Sequence, residues 1–126
     1  MRYFVLASLL FSLMACTPSK DARYYRLHPQ ALQEALKNCP QSHPKHIACP
    51  ELVMVADEVN TLAYQLQRDP QGFGNTILKA QAKLAHLLAR AIKNDKSSAL
   101  HAQIVRDKQK IAEYLSIVRW LESPQK

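Results

Sequence analysis

A chain of 126 residues with only two glycines, Gly72 and Gly74, lacks the tight-turn residues that an all-β sandwich or barrel requires, so composition excludes that class and leaves an α fold. Its 17 Lys and Arg exceed its 10 Asp and Glu, for a formal charge of +7. That sign favours anionic lipid or nucleic acid as a partner, but the basic residues are scattered along the sequence and read as solvated helix faces. The length suits one domain with one modest core.

The N-terminus has the layout of a signal peptide: Arg2 supplies a positive charge, Phe4 to Leu13 an apolar stretch, and Ala15 a small residue before Cys16. The apolar stretch is too short to cross a membrane. Leu13-Met14-Ala15-Cys16 resembles the lipobox of bacterial lipoproteins. That resemblance implies cleavage before Cys16 and a thioether-linked diacylglyceryl group on its sulfur, with no other cofactor. Acyl chains stabilise membrane attachment by about 0.8 kcal/mol per buried methylene, so two chains give a lasting anchor. Thr17, where an Asp would mark retention at the inner membrane, resembles lipoproteins sorted onward. The implied location is the cell envelope, as an outer-membrane lipoprotein facing the periplasm or the cell surface. The expected organisation is a signal peptide over 1–15, a lipid-anchored tether over 16–26 and a single helical domain over 27–126.

Within the tether, Lys20, Arg23 and Arg26 would be drawn to acidic lipids. Tyr24 and Tyr25 either staple onto the first helix or sit at a membrane interface. Arg23, Tyr24, Tyr25 and Arg26 are therefore candidates for partner or membrane contact. The first helix is predicted from His28-Pro29, because proline at the first helical position sacrifices no hydrogen bond. Leu27, Ala31, Leu32, Ala35, Leu36 and Cys39 share its apolar face, and it stops before Cys39-Pro40 because the residue ahead of proline avoids the helical region. A proline-broken loop follows to Cys49. Pro50 and Glu51 then start the second helix, in which Leu52, Val55, Ala56, Val59, Leu62, Ala63 and Leu66 keep a helical period.

Asp69-Pro70 signals a third start, with a loose Gln71-Gly72-Phe73-Gly74 turn ahead of a helix expected to bury Phe73, Ile77, Leu78, Leu84, Leu88 and Ile92. The turn has a second reading as a recognition loop, which adds Phe73 to the contact candidates. After a turn over Asn94 to Ser98, a fourth helix carries Leu100, Ile104, Ile111, Leu115, Val118 and Leu121. Its centre, Arg106 to Lys110, is polar all round, so this helix is expected to project beyond the core or to pair with another chain. The predicted fold is all-α: a small bundle of about four helices, comprising a disulfide-closed helical hairpin and two longer helices.

With Cys16 lipidated, Cys39 and Cys49 form an even pair in an oxidising compartment and read as one disulfide. The same segment spells C-x3-H-x2-H-x2-C, and Cys39, His43, His46 and Cys49 are an alternative tetrahedral zinc set. The prolines and the compartment weigh against zinc, so no metal is expected. A nuclease would need clustered carboxylates or a histidine beside a metal ligand. Asp57 and Glu58 point about 100° apart on a helix, His86 and His101 lack flanking motifs, and no nucleophile elbow or phosphate-binding loop occurs. An enzyme is not expected.

The lipobox, Tyr24-Tyr25, His28-Pro29, Leu36, Cys39 and Cys49 together resemble the EexN-type entry-exclusion lipoproteins of conjugative elements, over residues 1 to about 50. The resemblance implies a protein that binds a surface component of a conjugation or type IV secretion apparatus, with the membrane as its second partner. The alternatives are an accessory lipoprotein of a secretion system that binds a partner helix, and a basic nucleic-acid-binding protein or endonuclease.

Overall fold

The computed structural model describes residues 19–93 and 97–123. Cys16, the signal peptide and the middle of the predicted turn at 94–96 lie outside the described residues. Five helices follow one another: α1 (Ala22–Leu27), α2 (Pro29–Asn38), α3 (Cys49–Arg68), α4 (Pro70–Ile92) and α5 (Ser98–Glu122). No strand occurs among the described residues. The all-α bundle agrees with the sequence reading, with one helix more than the four expected.

The extra helix corrects the tether. Residues 22–27 are helical, because the Asp21 carboxylate accepts a hydrogen bond from Tyr24 N at 3.0 Å and satisfies an otherwise orphaned donor of the first turn. Tyr25 then turns into the core at 4% exposure. The carbonyl of Arg26, near the end of α1, accepts from the buried Ser116 hydroxyl on α5 at 3.2 Å. Of the predicted tether, the described part that remains outside a helix is residues 19–21.

Proline starts α2, α3 and α4 as read from the sequence. Between α2 and α3 the chain passes a cis Cys39–Pro40 bond and folds its one large apolar residue, Ile47, into the core. The Cys39–Cys49 disulfide closes this loop with its Cα atoms 5.9 Å apart.

Asp69 alone separates α3 from α4. It caps α4 by accepting from Gly72 N at 2.9 Å. A Cβ at Gly72 would collide with that carboxylate, so this glycine serves close approach inside a helix. The loose turn expected at 71–74 is therefore the first turn of α4, with Phe73 buried.

Helix α5, about 37 Å long by its 25 residues, runs through two separate apolar clusters. The larger joins Tyr25, Leu32, Ile47, Leu52, Val55, Val59, Phe73 and Ile77 to Ile117 on α5. The smaller holds Leu87, Leu100 and Ile104 between the far halves of α4 and α5. Phe73 lies against Tyr114 with ring centroids 4.9 Å apart, while Leu87 meets Leu100 and Ile104, so α4 and α5 form an antiparallel hairpin. The seam of α4 is Phe73, Ile77, Leu84, Leu87 and Ala91. Leu78, Leu88 and Ile92, expected inside, are exposed, because each sits one position from the true seam and so points about 100° away. On α5, Ile117 is fully buried, with Leu115, Val118 and Leu121 packed at its margins.

Closing the loop between Cys39 and Cys49, ten positions apart, restricts the unfolded chain and is worth roughly 2.7 kcal/mol on the chain-entropy estimate. Reduction, or Cys39→Ser with Cys49→Ser, is expected to lower the thermal midpoint by on the order of 10 °C while leaving the helical circular dichroism at room temperature. An unchanged midpoint would show that the loop is already restricted in the unfolded chain.

Candidate functional site

The residues expected to meet a partner or a membrane divide into two groups. Tyr25 and Phe73 are core residues at 4% and 5% exposure, so neither is a contact residue. Burial holds the Tyr25 phenol above its usual range, with the Tyr24 ring adding to the effect. Arg26 faces Glu58 on α3, its Nε 2.6 Å from Oε2 and its other nitrogen 3.3 Å from Oε1. Hydrogen bonding to Glu58 raises the guanidinium pKa further. Arg26 thus ties α1 to α3, by an amount of about 0–1 kcal/mol because both groups keep water contact. Only Arg23 and Tyr24 remain available. Tyr24 stacks on His28 with centroids 4.0 Å apart, and Lys20 Nζ lies 5.7 Å above its ring. His28 Nδ1 sits 2.7 Å from the Tyr24 carbonyl; a carbonyl only accepts, so this nitrogen carries the proton. Both tyrosines therefore lie inside α1 and not ahead of the first helix, Tyr25 in the core and Tyr24 against His28.

The disulfide removes the zinc alternative. Bonded to each other, Cys39 and Cys49 are not thiolates and cannot ligate. His43 and His46 are exposed, His43 Nδ1 lying 2.8 Å from the Pro44 carbonyl. Among the described residues, no group of three or more His, Cys, Asp or Glu is placed to hold a metal ion. The two histidines line a broad recess of about 800 Å³ with Lys20 and Lys45, between α2 and the disulfide loop.

A second groove, of about 640 Å³, opens between α3 and the polar middle of α5, with Arg23 of α1 at its rim. Arg106 and Lys110 enter from α5, Asp57 and Glu58 from α3, and Leu62, Val105 and Tyr114 supply apolar surface. Glu113 is held by Gln109 at 2.9 Å. This explains why α5 is polar all round at its centre. One side faces the groove. The other faces α4, where Lys83 Nζ lies 3.2 Å from Asp107 Oδ2. That buried oxygen has no hydrogen bond, so charge alone compensates it. Both signs line the groove beside apolar surface, an arrangement suited to an extended or helical segment of another protein. Asp57 and Glu58 lie on its wall with cations among them.

The basic charge is less scattered than sequence order suggests. Residues 70–110, which span α4, the turn and the first half of α5, hold eight Lys and Arg against two Asp. Everything else beyond residue 16 balances, with eight of each sign. The signal was present in the sequence, but only the pairing of α4 with α5 identifies these residues as one unit. No helix among the described residues is long and apolar enough to cross a membrane. Comparison with family models, curated proteins and solved structures finds no match to this chain.

Because the folded pKa of Tyr25 is raised, the protonated phenol is favoured in the folded state. Its contribution is intact below about pH 10 and is lost as pH climbs through the folded value. In an absorbance titration, Tyr25 is expected to ionise after the more exposed tyrosines, and Tyr25→Phe should remove part of the alkaline loss of stability. An alkaline loss of stability unchanged in Tyr25→Phe would place that phenol in water.

Proposed function

We propose that this protein is a lipid-anchored binding protein of the cell envelope that carries out entry exclusion. On this reading it engages a surface component of an incoming conjugation or type IV secretion apparatus and performs no catalysis. The observation that carries the binding reading is the groove between α3 and α5, whose mixed charges and apolar floor suit a protein segment. The exclusion reading rests on the resemblance over residues 1 to about 50. Its motif residues act mainly as scaffold: Tyr24 stacks on His28, Leu36 packs at the edge of the larger cluster, and Cys39 and Cys49 close the loop. The partner surface therefore lies elsewhere, and the groove is next to this scaffold, with Arg23 in its rim.

An accessory lipoprotein of a secretion system is the second reading. It is favoured by Val105 on α5, 53% exposed in the groove wall, where a partner helix would cover it.

Expression in a recipient cell is expected to lower uptake of the cognate conjugative element by orders of magnitude. Cys16→Ser should restore uptake by releasing the protein from the membrane. Val105→Asp should restore it with the protein still anchored. Unchanged uptake in the presence of correctly anchored protein would overturn exclusion and favour the accessory role, and full exclusion by Val105→Asp would move the binding site away from the groove.

A further inference from the structure

Helix α4 has more apolar surface than its seam uses. Leu78 is 64% exposed, Ile92 83% and Leu88 37%, and Ala82, Ala85 and Ala89 are exposed among them. Counting about 100° per residue from the buried seam, these six fall within about 60–180° around the helix. Lys79, Lys83, His86, Arg90 and Lys93 fall within about 200–280°. The solvent side of α4 is thus split lengthwise into an uncharged, largely apolar strip, which also includes Gln71 and Gln81, and a basic strip. No Asp or Glu occurs anywhere in α4.

We propose that this face of α4 lies in the interface of an anionic phospholipid bilayer, with Leu78, Leu88 and Ile92 entering the acyl boundary and the flanking Lys79 and Lys93 meeting phosphates. This is a membrane contact distinct from any acyl chain on Cys16 and does not rest on that modification. The division of the surface is that of a helix lying in a membrane plane, where apolar side chains enter and basic ones reach out to the headgroups. Charge selects the occupant. The hairpin holds the whole net positive charge of the chain beyond residue 16, which an anionic surface neutralises. A second copy of the chain would instead bring two all-basic helices together. Nucleic acid would use the basic strip and leave Leu78 and Ile92 in water.

The test uses residues 17–126, which lack the apolar signal and the acylated cysteine; both apolar clusters and the disulfide lie within 19–123. Flotation with vesicles of phosphatidylglycerol and phosphatidylethanolamine is compared with phosphatidylcholine alone. The chain is expected to bind the anionic vesicles at least tenfold better. Leu78→Ser with Ile92→Ser should reduce that binding at least tenfold while helical circular dichroism is retained, since both side chains are outside the core. Lys79→Glu with Lys93→Glu should weaken it as well. Absence of binding to anionic vesicles would overturn the proposal, and so would wild-type binding by the serine variant. A wild-type dimer dissociated by the serine substitutions would assign the face to a second copy. Tighter binding to duplex DNA than to vesicles, unaffected by those substitutions, would assign the hairpin to nucleic acid.

Discussion

One helix serves two apolar clusters, and the charged step between them shapes the rest of the molecule. Ile117 anchors the C-terminal half of α5 in the larger cluster, while Leu100 and Ile104 anchor the other half against Leu87. Between them stands Asp107, part-buried and opposed by Lys83. A buried carboxylate compensated by charge without a hydrogen bond contributes little net stability, so Asp107 adds little to the link between the clusters, which runs along α4 and α5 past the buried Ile111. The separation gives each end its own task. The larger cluster supports α1, α2 and the disulfide loop, and with them the rim of the groove. The smaller cluster supports the hairpin that carries the excess of basic residues.

The proline starts were legible because each rests on local chemistry: a fixed φ, a missing donor and, at Asp69, a carboxylate within reach of the third amide. The disulfide was legible from the parity of the cysteines and from the oxidising compartment that the lipobox resemblance implies. Helix α1 was not, since six residues show too little periodicity, and its stability comes from the Asp21 cap together with the long-range burial of Tyr25. Ile47 could have been found as the one large apolar residue in an otherwise polar loop. The seam of α4 could not be settled by period alone. Leu87 and Leu88 are adjacent, and two apolar stripes run along the helix; the stripe that faces α5 is decided by the partner helix.

The groove was the least legible feature, because Arg23, Asp57 and Arg106 come from three helices far apart in sequence. What could be read was its consequence, the polar centre of α5, for which projection beyond the larger cluster is the expected explanation that the packing bears out. The helix extends beyond the larger cluster, and its polar middle faces open space on one side. Asp107 supplies the rest, an inward-facing charge that periodicity registers only as a gap in the stripe.

Native-state hydrogen exchange along α5 tests this two-ended account most directly. Amides near Ile111 to Leu121 should exchange only through global unfolding. Those from Leu100 to Val105, with the facing turn of α4 around Leu87, should open together at a clearly lower free energy, because their cluster is small and stands apart. Uniform protection along the whole of α5 would contradict the account and show one cooperative core.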